Sequence, residues 1–203
     1  MVSLNNVRLD HVVSFGDAIF AFSITFIAIS IEIPSLPSNL SEAEVANRLL
    51  QLIPQFEIYF TSFAVIGIFW IKYHIIFNKI KDSHSVMLWL NLLYLFFITL
   101  ISFGTALRFE NNYISTFALY AIILTATSIL LSLIWIHALR YNLLKDDNMT
   151  SRQKKLYILQ GIIPATIFAG SIGVAFINIQ VASYSWIMII PFQIIFKKKT
   201  HLS

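Results

Sequence analysis

RLDHVVSFGDAIFAFSITFIAISIEIP, residues 8–34, decides how this chain folds. The stretch is long and apolar, and at about 1.5 Å of rise per residue it crosses a hydrocarbon core of roughly 30 Å as a helix. Successive side chains turn by about 100°. Arg8, His11, Phe15, Ala18, Phe22, Thr25, Phe26, Ile29 and Ile33 then share one face. Asp10, Asp17, Ala21, Ile24 and Ala28 lie roughly opposite, and Gly16, Ser23 and Ser30 form a third stripe. Small stripes are where membrane helices pack on each other. A charged Asp17 turned to lipid costs at least about 2.5 kcal/mol, so it is expected to face protein or water and to have a partner. A bulky apolar face that also carries Thr25 reads as the wall of a pore, which packing alone does not explain.

The whole chain has the same character. Of its 203 residues 58% are hydrophobic and 12% charged, against about a quarter charged in a soluble globule. This is the composition of an integral membrane protein, with room for several spans and no room for a soluble catalytic domain of about 100 residues. There is no cysteine, which excludes disulfides, thiolate metal sites and thiol nucleophiles. The first apolar segment contains Asp17 and ends in EIPSLP without a small-residue cleavage site, so it is expected to stay as a helix and not to be removed as a signal peptide.

Downstream, Ser41 and Glu44 have capping-box spacing before a short amphipathic helix with Val45, Leu49 and Leu52 on one face. Further spans are expected at about 54–78, 86–107, 113–140, 156–177 and 182–196. The fifth of the six contains Gly161, Pro164, Gly170 and Gly173, which points to a kink and close helix contacts. Six spans put both termini on one side. Arg8, Lys72, Lys79, Lys81, Arg140, Lys145, Arg152, Lys154, Lys155 and Lys197 to Lys199 fall on that side, leaving Arg48 and Arg108 for the other. The positive-inside rule therefore makes the termini cytoplasmic, and the net charge of +4 reports topology and not nucleic-acid binding. Glu32, Glu42, Glu44, Glu57 and Glu110 fall on the opposite side, where an acidic mouth concentrates cations. No internal repeat is visible, so residues 1–203 are read as a single six-helix transmembrane domain.

The chemistry-bearing residues are too few for an enzyme. His74 and His137 are isolated, neither HExxH nor GxSxG occurs, and Asp17 is the single acid deep in a span. No metal site and no cofactor is expected. His74 reads first as a buried structural histidine, and Trp70 matters because it lies one turn before it. A secondary transporter favours internal repeats and broken helices, for which Pro164 offers one break at most. A channel asks less: one helix from each subunit of a ring, one face toward water and ions and the other packed.

Three motifs then resemble one family. SFGDAIFAFSITFIAISIEIP, residues 14–34, is similar to the first helix of the transmembrane protein 175 potassium channels, whose hallmark is an arginine, three residues, then FSD. FWIKYHIIF, residues 69–77, resembles the tryptophan and histidine pattern of that family's second helix, and KDSHSVMLWLNLLYLFFITLISFGTAL, residues 81–107, resembles its third. The resemblance covers Arg8 to Leu107, and beyond it span count and length agree. It implies a homotetramer whose first helices line the pore, with a bulky hydrophobic constriction in place of a TVGYG filter. By position it puts Phe22 at the narrowest layer, Thr25 beside it, and Phe26 and Ile29 on the next layers. Phe15 and Asp17 fall on the hallmark, and Trp70, His74 and Asn91 on its interhelical partners. Three positions depart from the pattern. Gly16 replaces the hallmark serine, His11 stands where the arginine is usual with Arg8 as a possible substitute, and the family's PFPT reads SFGT at Ser102 to Thr105.

The expectation is an all-α, six-helix, homotetrameric, potassium-permeable channel in the cell inner (plasma) membrane, not an enzyme. Its partners are other copies of itself, membrane lipids and monovalent cations, with potassium the permeant ion. The alternatives are a weakly selective cation or proton leak of the same architecture and, behind it, a secondary transporter.

Overall fold

The structure, a computed structural model, describes residues 8–110, 113–146, 148–189 and 191. Helix α1 runs Leu9–Ile29, α2 Glu42–Leu50, α3 Ile53–Phe77, α4 Ser85–Glu110, α5 Ile114–Arg140, α6 Ser151–Ala175 and α7 Ile179–Ser185, followed by a 3-10 turn at Trp186–Met188. Among the described residues, five candidate spans are long and apolar enough to cross a membrane: α1, α3 with α2 leading into it, α4, α5 and α6. The chain is an all-helical integral membrane protein. The sixth span expected at about 182–196 overlaps α7 and the 3-10 turn, and most of the rest lies outside the described residues.

Local sequence sets the helix ends. Ser41 caps α2: its hydroxyl accepts from the Glu44 amide at 3.4 Å, and the Glu44 carboxylate accepts from the Ser41 amide at 2.8 Å. Thr150 and Gln153 make the same reciprocal pair at the start of α6. In α1 the helix stops at Ile29, earlier than the apolar run. The following IEIPSLP contains Pro34 and Pro37, which cannot extend a helix and restrict the residue before them. Ile33 consequently lies beyond the helix and does not extend the face that begins at Arg8. The remaining 21 residues still span about 31 Å.

Helix α5 ends with Asn142 at φ 54°, a left-handed conformation that asparagine tolerates. The Leu143 amide then reaches back to the Ala138 carbonyl at 2.9 Å and the Asn142 amide to Leu139 at 3.4 Å, the two bonds of a Schellman motif. This turn aims the next residues at the α3–α4 connection. Ile80 and Leu144 form an antiparallel bridge, in which Lys81 donates to the Leu143 carbonyl and Lys145 to that of Lys79, both at 2.9 Å.

Helices α5 and α6 meet almost backbone to backbone. A Cβ on Gly161 would lie 1.9 Å from Ser132 Oγ and 2.9 Å from the Ser128 carbonyl oxygen, so glycine alone fits there. Helix α6 runs through Pro164 from Ser151 to Ala175. In α4, Gly104 makes room for the Tyr120 ring of α5, which a Cβ would approach to 2.9 Å. Thr105 Oγ1 donates to Ser62 Oγ at 3.0 Å, and the Tyr120 hydroxyl donates to the same atom at 3.0 Å, joining α3, α4 and α5 through buried polar groups. Helix α1 closes this bundle on one side, against α3 and α4.

Candidate functional site: the first helix and its polar clasp

Helix α1 separates into two faces. Val12, Gly16, Phe20, Ser23 and Ile27 are buried, and Phe15, Phe22, Thr25, Phe26 and Ile29 are exposed on the other side. The Phe22 and Phe26 rings stack along that side, with centroids 5.9 Å apart at 29°. The Thr25 hydroxyl donates back to its own helix, 2.9 Å from the Phe22 carbonyl oxygen and 3.1 Å from that of Ala21. This satisfies its proton inside an apolar setting and leaves oxygen lone pairs on the exposed face.

The buried stripe is held by three contacts. Ser102 of α4 donates to the Ser23 carbonyl at 2.8 Å, a second hydrogen bond carried by the SFGT segment that also supplies Gly104 and Thr105. The Tyr73 hydroxyl of α3 donates to the Val12 carbonyl at 3.3 Å. A Cβ on Gly16 would lie 2.6 Å from that hydroxyl oxygen. Tyr73 is fully buried and stacks parallel to Tyr94 with centroids 5.8 Å apart, so it cannot withdraw. Glycine in place of the hallmark serine is therefore the residue that the Tyr73 ring requires.

On the flank between the two faces, Asp17 is clasped from α3. The Trp70 indole donates to Asp17 Oδ1 at 2.8 Å, and His74 Nε2 lies 2.7 Å from the same oxygen. Trp70 and His74 are one turn apart, and their rings meet edge to face at 4.7 Å. A charge-assisted pair of this kind is stronger than neutral hydrogen bonds. The clasp is open, however: Asp17 keeps 44% of its side-chain surface exposed and His74 26%.

The remaining expected residues fall elsewhere. Asn91 is buried with its Oδ1 unpartnered, so it is not brought into the clasp on Asp17. Arg8 pairs with Asp10 at 2.6 Å on the exposed start of α1, and His11 is exposed one turn further on, so neither is brought to Asp17. Phe15 opens onto the exposed face above Phe22. The sequence does not single out Tyr73, and it marks Ser23 only as part of a small stripe and Ser102 only within SFGT. The signal for Tyr73 was the glycine at position 16, since a missing side chain on a packed stripe implies a large neighbour. Among the described residues, no group of three or more histidine, aspartate or glutamate side chains gathers as a metal site.

The family model described as the endosomal/lysosomal potassium channel TMEM175 matches residues 11–101, the part of the chain that contains α1, α3, the clasp and most of α4. A potassium channel of Streptomyces collinus is 25% identical over 175 residues, covering 83% of this chain and 82% of that protein. A potassium channel of Chamaesiphon minutus is 31% identical over 130 residues, 62% of this chain and 63% of the relative. The crystal structure of a lysosomal potassium-selective channel TMEM175 homolog, also from Chamaesiphon minutus, superimposes with a TM-score of 0.79 over 93% of this chain and 97% of that one, at 22% identity.

Proposed function

We propose that this chain, which is similar to the TMEM175 potassium channels over residues 11–101, forms a potassium-permeable channel by assembling as a homotetramer with α1 of each subunit around the pore. The observation that carries the reading is the open clasp. Asp17 lies near the middle of a membrane-spanning helix with almost half of its side chain uncovered. In lipid a carboxylate there costs about 2.5 kcal/mol or more. A neighbouring subunit laid over the Asp17–Trp70–His74 flank removes that cost and turns the adjacent face of α1 toward the symmetry axis.

In that arrangement Phe22, Phe26 and Ile29 make stacked apolar rings with Thr25 between them. An ion crossing them gives up hydration without a carbonyl cage of the TVGYG kind to replace it, so unitary conductance is low. The Phe22–Phe26 stack presents aromatic faces or edges to the ion according to ring rotation, and faces offset part of the lost hydration by cation–π attraction of about 1–2 kcal/mol. The distribution of basic residues supports cytoplasmic termini, with the channel in the plasma membrane of a bacterial-type cell.

Purified protein in a planar bilayer tests the proposal. Unitary potassium currents are expected, larger in Phe22→Ala with weaker discrimination against sodium, and unchanged in Ile24→Ala, which faces away from the axis. Equal conductance in wild-type and Phe22→Ala tetramers of verified assembly excludes Phe22 from the pore. Saturable ion-coupled flux without unitary steps excludes a channel altogether.

A further inference from the structure

The Schellman turn of α5 and the Ile80–Leu144 bridge do more than tie two loops together, because they bring two histidines far apart in sequence to the same end of the bundle. His84 lies just before α4, and His137 in the last turn of α5. Their ring centres are 5.5 Å apart. Tyr141 packs on both, 5.1 Å from His84 and nearly parallel to it, and 4.5 Å from His137. Each ring also has a buried nitrogen with no hydrogen-bond partner, Nδ1 on His84 and Nε2 on His137.

Buried polar atoms are normally satisfied, so two orphans on adjacent rings call for a shared ligand. Imidazole nitrogen is a preferred donor for zinc and copper. Two imidazoles bound to one tetrahedral zinc through nitrogens at about 2.0–2.1 Å have ring centres about 5–6 Å apart, which is the separation seen here. Both residues sit at helix ends and are half-buried, with their unpartnered nitrogens turned inward. The Tyr141 ring fixes the orientation of both imidazoles, as outer-shell groups do in metal sites. We propose that His84 and His137 form a two-histidine site for a divalent transition-metal ion, zinc or copper, which bridges the start of α4 to the end of α5. The site is separate from α1 and independent of the channel reading.

Full-length protein in detergent tests this by calorimetric titration with Zn²⁺ and by electron paramagnetic resonance with Cu²⁺. Zn²⁺ binding is expected to weaken by roughly tenfold or more in both His84→Gln and His137→Gln. The Cu²⁺ spectrum of the wild-type protein is expected to show coupling to two imidazole nitrogens, lost when both histidines are replaced. Equal Zn²⁺ affinity in wild type and a folded double variant overturns the proposal. If the variants fail to fold, a wild-type Cu²⁺ spectrum with one imidazole nitrogen or none overturns it as well.

Discussion

Helices α1 and α5 differ in how completely this chain finishes their packing. In the apolar window of α5, 61% of residues are buried within the chain, and in that of α1, 28%. Gly161 lets α5 and α6 close to near backbone contact, with Ser128 and Ser132 filling the seam. Helix α1 instead commits one narrow stripe to α3 and α4 and leaves Phe15, Phe22, Phe26 and Ile29 uncovered beside a half-open carboxylate. The first region is a scaffold complete in one copy. The second, in the proposed assembly, is half of an interface between copies.

The two regions should accordingly fail in different ways. The largest effect is expected from Asp17→Ala. With its flank covered in the assembly, removing the carboxylate leaves the Trp70 indole and the His74 ring nitrogen buried without their partner, at about 1–3 kcal/mol each. Assembly is where that loss should appear. Size-exclusion chromatography with light scattering should show subunits in place of tetramers, while circular dichroism keeps its helical signal. A stable Asp17→Ala tetramer with altered permeability ratios would move Asp17 into the pore and erase the distinction between clasp and pore face.

Gly161→Ala tests the opposite region. The new methyl cannot be accommodated between Ser132 Oγ and the Ser128 carbonyl without shifting a helix, and overpacking of this kind costs about 1–3 kcal/mol. The loss should appear as a lower melting temperature of the subunit itself. Gly170→Ala and Gly173→Ala on the same helix meet nothing within 4 Å and should leave the melting temperature within error or raise it slightly. Equal destabilisation by all three would mean that helix propensity, and not the seam, sets the stability of α6.

A smaller and more local effect is expected from Gly16→Ala, which drives a methyl against the Tyr73 hydroxyl and loosens α1 from α3. Tyr73→Phe in the same chain removes the nearest atom in the clash and should restore part of the melting temperature, although the ring carbon at 2.8 Å remains close. Additive losses in the double variant would show that Gly16 serves something other than Tyr73.

Much of this division was legible in the sequence. Apolar runs of spanning length located α1, α3, α4, α5 and α6, because the bilayer fixes how long such a run must be. The Ser41–Glu44 cap followed from spacing alone. A lone acid in a span demanded a partner, and Trp70 and His74, one turn apart, supplied it. What stayed hidden depends on rotation about a helix axis and on contacts across long sequence separations. Asn91 is buried without joining Trp70 and His74 on Asp17, and nothing in the residue types says so. Lys72 counts by topology on the side of the termini, and the structure buries it, donating to the Gln160 carbonyl at 2.7 Å. Arg108, assigned to the outer mouth, is buried among the rings of Phe117, Tyr120 and Trp186, where cation–π contact replaces water. Counting charges sorts residues by membrane side but says nothing about whether they reach solvent.

The central claim is that the uncovered face of α1 lines a water-accessible ion path, and the absence of native cysteine allows a direct test. Single cysteines at Phe22, Phe26 and Ile29, and at the buried Phe20 and Ile27 of the same helix, can be exposed in assembled channels to a small cationic thiosulfonate while potassium current is recorded. The account predicts that current falls on reaction at Phe26→Cys and Ile29→Cys, with Phe22→Cys reacting more slowly at the narrowest layer, and that Phe20→Cys and Ile27→Cys leave current unchanged. Conducting tetramers in which none of the three exposed-face cysteines responds, or in which the buried positions respond equally, would contradict it.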